Sequence, residues 1–325
     1  MDLSALTLTH LRYLVSIDTT RSFRVAAEEC HVSQPTLSTQ LQKVEELVGA
    51  RLFDRSRAPV VPTDIGARVV AQARVVLREA NRLGFVAQPT AIEGMFRLGI
   101  IPTLASSLVP LLLPHFAKRF PKVELVMEEV QTDRLIARLH DESLDGGLAA
   151  TPLGSPMIVE RPLCREPLWI YLPSGHPLAR RARIRQSELT DECVWLMPEG
   201  HCFRTQVLHL CKLRRGAQRP CDGASIRFES GSFETLIKLV DAGLGMTVLP
   251  ELVVRTLPAA TRRARIRPFE GSTPVREVSF LRIREDLRRQ IADAVVEALL
   301  AVLPDDLGQT KRQAVLSPFP GIDPA

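Results

Sequence analysis

The chain has 325 residues, of which 45% are hydrophobic and 24% charged, a balance typical of soluble globular proteins with room for two or three domains. It contains no apolar run of about 18 residues, which excludes a membrane-spanning helix, and its start lacks the basic-then-apolar pattern of a secretory signal. Six cysteines are too few for a disulfide-stapled secreted scaffold, so we expect a cytoplasmic protein. The net charge of +5 is compatible with a polyanionic partner without indicating one.

The first 63 residues are balanced in charge, with seven basic and seven acidic side chains, so any DNA binding there has to follow from pattern. Apolar residues at helical spacing predict a first helix over residues 9–20. A second, short helix is predicted from Phe23. Ser33 is a suitable N-cap for a third helix, with Pro35 in its first turn and Gly49 at its end.

The third helix has two distinct faces. Leu37, Leu41 and Val44 share one face and predict a buried stripe. The opposite face is small and polar, which lets a helix approach a DNA groove and contact bases or phosphates; it carries Pro35, Ser38, Thr39 and Gln42. A solvated face explains a lone helix of this kind better, but three short helices in this order favour a helix-turn-helix. Two apolar pieces at residues 52–53 and 60–61 then predict a two-stranded wing.

Four segments carry a resemblance to the DNA-binding domain of LysR-type transcriptional regulators. They are Phe23-Arg24-Val25-Ala26-Ala27, Val32-Ser33-Gln34-Pro35-Thr36-Leu37-Ser38, Leu52-Phe53-Asp54-Arg55 and Thr63-Asp64-Ile65-Gly66. The resemblance implies a winged helix-turn-helix that binds double-stranded promoter DNA, and a transcription activator working with RNA polymerase rather than an enzyme. The implied DNA contacts are Ser33, Gln34, Pro35, Thr36, Ser38, Thr39, Gln42, Arg55 and Arg57.

A long helix is predicted to follow the wing. Residues 64–86 contain no proline, and a near-heptad apolar stripe runs through Ile65, Val69, Ala73, Val76, Ala80 and Leu83. Such a stripe favours pairing with a second copy, because helix-turn-helix proteins usually bind two half-sites; packing against the chain's own sensor domain is the alternative. The family resemblance implies a homotetramer. Gln88-Pro89-Thr90 predicts a hinge.

The remaining chain alternates predicted strands and helices, which is typical of a parallel α/β sheet. The strands are predicted at residues 96–101, 123–130, 145–150, 169–172, 194–197, 225–228, 246–249 and 277–283, and helices at 102–116, 133–139 and 286–302. The number of units favours two lobes with a ligand cleft between them. This layout resembles the two-lobed, periplasmic-binding-protein-like sensor domain of the LysR family.

We therefore expect an α/β protein with an N-terminal all-α winged helix-turn-helix, a long linker helix and a two-lobed sensor domain. The expected boundaries are 1–63 for the DNA-binding domain, 64–92 for the linker helix and hinge, 93–303 for the sensor and 304–325 for a flexible tail. Within the sensor, lobe I is expected at 93–166 and 271–303, and lobe II at 167–270.

Two cysteines nine positions apart, Cys202 and Cys211, lie among basic residues. Positive charge nearby tends to lower the pKa of a thiol and favours a reactive thiolate. Two ordinary buried thiols are the alternative from this stretch alone, and the sequence does not give the pKa itself. Three stretches resemble the hydrogen-peroxide-sensing members of the LysR family: Gly200-His201-Cys202-Phe203-Arg204 with Cys211, Gly99-Ile100-Ile101-Pro102-Thr103 with Leu108-Val109-Pro110, and Gln131-Thr132. Thr205 departs from the Asp that such members often carry.

This second resemblance implies roles for particular residues. Cys202 would be the peroxidatic cysteine and Cys211 the resolving one, with a glutaredoxin or thioredoxin system as reductant. The implied peroxide pocket contains Thr103, Thr132, His201, Arg204 and Arg276. If residues 202–211 are helical, the two Cα atoms lie about 13 Å apart, whereas a disulfide needs about 7 Å or less. The switch would therefore have to refold.

Two rival interpretations remain open. His201, Cys202, His209 and Cys211 are ligand types that zinc uses, although their spacing is not a usual finger pattern. Alternatively, the sensor binds a small-molecule effector between its lobes and the cysteines are incidental. We expect no cofactor and no metal, and we interpret the other cysteines as packing residues or surface thiols: Cys30, Cys164, Cys193 and Cys221.

Overall fold

The computed structural model describes residues 5–56, 59–87, 92–190, 192–211, 230–284, 288–307 and 314–319. It divides into two compact units, Met1–Pro89 and Thr90–Ala325. Some sequence predictions lie outside the described residues: the hinge at 88–90, Arg57, Cys221 and the strand at 225–228. None of the helices in the described part of the chain is both long and apolar enough to cross a bilayer.

The first unit is a winged helix-turn-helix followed by a long helix, as the pattern predicted. Its elements are α1 (Leu8–Thr20), α2 (Phe23–Glu29), α3 (Gln34–Val48), β1 (Phe53–Asp54), β2 (Val61–Pro62) and α4 (Asp64–Ala87). The local signals act as expected: the Ser33 hydroxyl accepts a hydrogen bond from the Thr36 amide at 3.2 Å, and Gly49 ends α3 in the left-handed region with φ +73°. The wing strands pair antiparallel.

Helix α4 divides the apolar stripe that was predicted for self-pairing. Ala73 is buried with Val70 in the core of the first unit, where α4 packs against α1. Ile65 and Val76 are exposed. Arg74 reinforces this packing by donating to the Asp18 carboxylate at 3.0 Å. The stripe therefore serves two surfaces, one internal and one open to solvent.

The second unit is a mixed sheet flanked by helices. Its strands are β3 (Gly94–Ile100), β4 (Val123–Glu129), β5 (Gly146–Thr151), β6 (Ile158–Tyr171), β7 (Val194–Trp195), β8 (Met246–Pro250), β9 (Ile266–Arg267), β10 (Pro274–Ile283) and β11 (Ala314–Val315). Its helices are α5 (Pro102–Arg119), α6 (Thr132–His140), α7 (Cys202–Leu210), α8 (Phe233–Asp241), α9 (Glu251–Thr256), α10 (Ala259–Arg265) and α11 (Arg289–Val302).

The sheet differs from the parallel arrangement that alternation predicted. Strand order is β4-β3-β5-β10-β6-β8-β7, with β9 on β6 and β11 on β10. Strand β3 is parallel to β4 and β5, and β7 is parallel to β8, but β10 is antiparallel to both β5 and β6. Strand β6 is also far longer than the four residues predicted. The prediction was too short because Pro162 and Pro167 lie within the strand and proline disfavours a strand interpretation.

Strands β6 and β10 run through both halves of this unit, which has two hydrophobic cores. The first core contains Phe96, Leu104, Leu148, Val278 and Leu299, among others. The second contains Leu168, Phe203, Leu236, Val248 and Phe269, among others. Two residues from the second half of the fold, Cys202 and Leu252, belong to the first core.

The stretch expected to be a flexible tail contains a strand instead. Residues Ala314–Val315 pair parallel with Pro274 and Val275 at the start of β10, and the Leu316 amide donates to the Val275 carbonyl at 2.8 Å. Leu316 packs against the second core and Phe319 against the first. Residues 314–319, which we name the C-terminal strap, therefore contact both halves of the unit.

Candidate functional site

Three residues that the sequence analysis proposed for the peroxide site lie in the first turns of three helices. Thr132 and Cys202 are the first residues of α6 and α7, and Thr103 is the second residue of α5. All three side chains are buried. The first turn of a helix carries unpaired amides and a partial positive charge, so each of these positions favours an anion. The local environment thus suits a thiolate or a developing oxyanion.

Cys202 is a buried thiol with polar neighbours. It is packed into the first core, and the Thr132 side chain hydrogen-bonds its sulfur. Burial raises the pKa of the Cys202 thiol, while the Thr132 hydrogen bond and the charge of Arg276 oppose that rise. Desolvation therefore outweighs the favourable contacts at this thiol, so the tendency of nearby positive charge to lower a thiol pKa does not dominate here.

Arg204 is the described member of the basic neighbours in sequence, and it is not among the groups that lower the pKa of Cys202. Arg204 directs its guanidinium to the Met197 carbonyl, with a 3.0 Å hydrogen bond. Lys212, Arg214 and Arg215 lie outside the described residues. The cation whose charge reaches Cys202 is Arg276, which comes from β10 and is distant in sequence.

Arg276 is fully buried and held by several partners. Its Nε donates to Glu166 Oε2 at 2.8 Å. Its terminal nitrogens donate to the Thr103 hydroxyl at 3.0 Å and to the Thr103 carbonyl at 3.1 Å. The guanidinium also lies over the Phe203 ring, 5.3 Å from the centroid. Arg276 thereby brings together Thr103 and Phe203, and Phe203 directly follows Cys202 in the sequence.

Glu166 is a member of this cluster that the sequence interpretation did not include. It lies on β6 and is fully buried. A single carboxylate inside the largely apolar stretch of residues 163–172 is a usable signal, because a buried acid needs a partner. The partner, Arg276, is 110 residues away in sequence and could not have been chosen from the pattern alone.

His201 precedes Cys202 at the N-cap position of α7 and is 9% exposed. Burial lowers the pKa of its imidazole, which favours the neutral ring. The preceding Gly200 has φ +88°, and a Cβ there would lie 3.2 Å from the Gln131 side-chain amide. Glycine therefore allows this turn to pass against Gln131, the N-cap residue of α6.

Cys211 is the C-cap residue of α7, at the opposite end of the same helix. It is fully buried in the second core, and burial raises the pKa of its thiol to about 12. Nine residues of helix separate its Cα atom from that of Cys202 by about 13 Å. The two sulfurs therefore lie in different hydrophobic cores.

The polar face of α3 is open to solvent. Ser33, Gln34, Pro35, Thr36, Thr39 and Gln42 are exposed, and Ser38 is half-buried. Part of this face is internally bonded, since Thr39 donates to the Pro35 carbonyl at 3.0 Å. Arg55 in the wing pairs with Glu45 at 3.0 Å and lies over the Phe23 ring at 5.4 Å.

Two family models cover most of the chain. Residues 8–67 match the bacterial regulatory helix-turn-helix protein, lysR family, and residues 90–304 match the LysR substrate binding domain. The chain belongs to the LysR family.

This LysR-family regulator is similar to known proteins over nearly its whole length. It is 34% identical to the DNA-binding transcriptional dual regulator OxyR of Escherichia coli, over 94% of this chain and 98% of that protein. It is 39% identical to the hydrogen peroxide-inducible genes activator of Dickeya chrysanthemi, over 75% of this chain and 79% of that protein.

Solved structures agree with these relatives. A full-length OxyR variant from Pseudomonas aeruginosa aligns with a TM-score of 0.75 and 32% identity, covering 92% of this chain and 99% of that chain. A hydrogen peroxide-bound OxyR mutant from Corynebacterium glutamicum aligns with a TM-score of 0.58 and 29% identity, covering 91% of this chain and 92% of that chain.

The other cysteines of this LysR-family regulator divide into two groups. Cys30 and Cys164 are free thiols, and burial raises the pKa of Cys164 to about 12. Cys193 packs against the second core, in line with its interpretation as a packing residue, but it is disulfide-bonded and not a free thiol. Among the described residues, no three His, Cys, Asp or Glu side chains are grouped to hold a metal; His209, which the zinc interpretation required, is exposed.

Proposed function

We propose that this LysR-family regulator senses hydrogen peroxide through Cys202 and Cys211 and controls promoter binding of oxidative-stress genes. In the first step the Cys202 thiolate attacks one peroxide oxygen, and the O–O bond breaks. The sulfur loses two electrons and becomes a sulfenic acid, and the other oxygen takes up a proton and leaves as water. The buried hydrogen-bond donors for this step are Thr103, Thr132 and Arg276. His201, the N-cap residue of α7, and Arg204, in its first turn, complete the peroxide pocket.

In the second step the Cys211 thiol attacks the sulfenic sulfur. The S–O bond breaks, an S–S bond forms and a second water leaves. With the sulfurs at opposite ends of α7, this bond requires the helix to unwind, because a disulfide needs Cα atoms within about 7 Å. Oxidation is thereby converted into a change of shape in the sensor.

One observation carries the proposal. Cys202 is a free thiol that combines a hydrogen bond from Thr132, the charge of Arg276 and a position at a helix N-terminus. Cys164 is equally buried in the first core: desolvation raises its pKa, the charges of Glu166 and Glu277 add to the rise, and the charge of Arg276 opposes it. The charge of Arg276 thus acts on both thiols, whereas the Thr132 hydrogen bond and the helix N-terminus belong to Cys202. The resemblance to OxyR proteins supports the same assignment.

The proposal includes the partners that the family resemblance implied. The polar face of α3 and the wing arginines, Arg55 and Arg57, contact promoter DNA, and RNA polymerase is recruited there. The exposed Ile65 and Val76 of α4 support a dimer through this helix, and two dimers form the tetramer. A glutaredoxin or thioredoxin system reduces the disulfide and resets the regulator.

Peptide mapping of the peroxide-treated protein tests the redox half of the proposal. A small excess of peroxide should produce a peptide pair linked through Cys202 and Cys211, and DNA footprints taken in parallel should change with the fraction linked. A response to peroxide with Cys202 still reduced, or linked to a different cysteine, would contradict the proposal.

The DNA half is tested by Thr39→Glu. A carboxylate on the exposed face of α3 repels the phosphate backbone, so operator binding should be lost, while the rate of Cys202 oxidation should not change. Glu46→Gln, on the same helix and exposed, is the matched control and should still bind. Unchanged operator affinity for Thr39→Glu contradicts this DNA interface.

A second candidate function rests on a cavity of about 440 Å³ between α5, α8 and α9, lined in part by Pro102, Ser106, Phe233 and Ile237. It favours a regulator that responds to a small-molecule effector. Filling the cavity with Ser106→Phe separates the two functions. An effector sensor would lose its inducing signal, whereas a peroxide sensor would keep its response.

A further inference from the structure

We propose that Glu166 is a positioning residue for peroxide reduction at Cys202, because it holds the guanidinium of Arg276 in place beside the reacting sulfur. This inference rests on the proposed function. It adds a residue that touches neither the thiol nor the peroxide and acts entirely through Arg276.

The orientation of Arg276 is fixed by two residues, Thr103 and the carboxylate of Glu166. Three hydrogen bonds use three of its five N–H groups, two to Thr103 and one to Glu166. The Thr103 contacts hold the terminal nitrogens, and the Glu166 contact holds Nε, so together they fix the plane of the guanidinium. A planar donor aimed in this way stabilises developing negative charge without reorganisation.

Glu166 is itself held at both oxygens. Oε2 accepts from Arg276, and Oε1 accepts from the Leu252 amide at 2.8 Å. Leu252 belongs to α9 in the second half of the unit but packs in the first core. The carboxylate therefore links Arg276 to rigid backbone rather than to solvent, and neither partner of the ion pair is exposed.

Replacement of Glu166 by glutamine shows why the carboxylate is needed. A carboxylate accepts on both sides, whereas an amide accepts on one side and donates on the other. The amide introduced by Glu166→Gln could accept from either the Leu252 amide or Arg276, and its NH₂ group would face a donor at the second position. The substitution therefore loses either the bond to Arg276 or the Leu252 bond that holds the side chain, so Arg276 is held less firmly while the shape is nearly the same.

The test is the rate of Cys202 oxidation by hydrogen peroxide as a function of pH in Glu166→Gln, Glu166→Asp and the wild type. Loss of positioning should lower the plateau at high pH, where Cys202 is fully a thiolate, by about tenfold or more. A change in thiolate population alone would shift the midpoint and leave the plateau. The ultraviolet absorbance of the Cys202 thiolate gives that midpoint independently.

Asp145→Asn is the matched control. Asp145 also pairs with a half-buried arginine, Arg288, at 2.7 Å, and accepts from the Arg97 amide at 2.7 Å, but it lies outside the cluster around Cys202. Asp145→Asn should lose stability without a lower plateau. Glu166→Asp, which retains the charge, should recover part of the rate.

An unchanged plateau in folded Glu166→Gln overturns the inference, as does an equal loss in Asp145→Asn. If Glu166→Gln does not fold, the rate of Glu166→Asp decides the question. The carboxylate of Asp is one methylene further from Arg276, so the high-pH plateau of the oxidation rate must still be lower than in the wild type. A wild type whose Cys202 is not oxidised removes the proposed function and this role together. A normal wild type with a normal Glu166→Gln removes this role alone.

A different observation carries a second inference: we infer that the C-terminal strap stabilises the helical, reduced form of α7. Gln206, midway between the two cysteines, is fully buried and donates from Nε2 to the Leu316 carbonyl at 2.8 Å. The Leu316 amide in turn donates to Val275, the neighbour of Arg276. The strap is thereby bonded to the helix that the proposed disulfide must unwind.

The direction of the effect follows from which form makes the contact. Unwinding α7 withdraws Gln206 and leaves the Leu316 carbonyl without this donor. Since the contact is present only in the helical form, it favours the reduced state and makes the disulfide easier to reduce. One hydrogen bond of this kind corresponds to about twofold to tenfold in an equilibrium constant.

Gln206→Leu and Leu316→Pro test the strap in the full chain. Each should shift the equilibrium with a glutathione buffer toward the Cys202–Cys211 disulfide by about twofold to tenfold. The double variant should shift it less than the product of the single shifts, because Leu316→Pro removes the amide that bonds the strap to Val275 and so loosens the same carbonyl that Gln206 contacts. Phe319→Ala, which detaches the strap from the first core, replaces Leu316→Pro if that variant does not fold.

Hydrogen exchange of the α7 amides in the reduced protein provides a readout that does not depend on the redox chemistry. Both variants should accelerate it. Unchanged exchange, or a shift of the equilibrium toward the reduced form, overturns the inference. If the wild type forms no Cys202–Cys211 disulfide, the proposed function fails, and the exchange result alone decides whether the strap holds α7.

Discussion

Cys202 and Cys211 lie at the two ends of one helix, both are free and both are buried. Burial raises the pKa of each thiol, but among the described residues Cys202 alone has contacts that oppose the rise, from Thr132 and Arg276. Cys211 has the surroundings of an ordinary core residue. Burial alone therefore does not distinguish the thiol proposed to react with peroxide from the one proposed to follow it, whereas the polar groups buried beside Cys202 do.

The largest effect is expected from Cys202→Ser, because a hydroxyl cannot replace the thiolate as nucleophile. Peroxide should produce no sulfenic acid and no change in DNA footprint, while operator binding by the reduced protein is kept. Cys164→Ser is the matched control, since Cys164 is a free thiol buried in the same core, and it should respond as the wild type does. Trapping of sulfenic acid with a dimedone probe measures both.

Cys211→Ser should separate the two steps. The first oxidation keeps its rate, because Cys211 lies about 13 Å from Cys202 along α7, but the product stays a sulfenic acid or a mixed disulfide. Mass spectrometry of the peroxide-treated protein measures the product. A full yield of intramolecular disulfide at Cys202 in this variant would remove Cys211 from the mechanism.

A smaller effect is expected from Thr132→Val, which removes the hydrogen bond to the Cys202 sulfur with little change in volume. The pKa of Cys202 should rise further, so the rate of oxidation at neutral pH should fall by about tenfold and the pH profile should move upward. Thr247→Val controls for loss of a buried threonine hydroxyl, since Thr247 donates to the Trp195 carbonyl at 2.9 Å. An unmoved profile in Thr132→Val would mean that the two cysteines differ for another reason.

The smallest effect concerns pH and His201. Burial lowers the pKa of this imidazole in the folded protein, so the folded state binds a proton less readily than the unfolded state. The associated stability is present above the unfolded pKa of about 6.5 and is lost as the pH falls from there through the folded pKa. Urea unfolding between neutral and mildly acidic pH should show a shallower decline for His201→Gln than for the wild type. Equal slopes would refute this contribution.

Sequence patterns were sufficient where the determining contact is local. Ser33 begins α3 and Gly49 ends it, each through contacts with groups only a few residues away. Both residues are visible in the sequence. Strand β6 was mostly missed, because its prolines are acceptable only beside the particular strands that pair with it. The ion pair of Glu166 with Arg276 joins residues 110 positions apart, so no local pattern contains it.

The pKa of Cys202 could not be predicted from the sequence for a related reason. Nearby basic residues are visible in sequence, but the depth of burial is a property of the packed cores. Desolvation acts against the thiolate and is the larger effect here. The C-terminal strap was likewise unpredictable, because proline and glycine near residues 318–321 are typical of loose tails, whereas its order comes from β10 and α7.

The placement of the two sulfurs in separate cores has a consequence for timing. Under the proposed mechanism, a sulfenic acid at Cys202 would have to persist until α7 unwinds, and during that interval a small thiol could reduce it through a mixed disulfide. Disulfide formation would then compete with this reduction, so a brief exposure to oxidant should give less disulfide than a sustained one. The yield of disulfide should therefore fall as the concentration of competing glutathione is raised. Helix α7 would then set the rate of disulfide formation as well as hold the two cysteines in place.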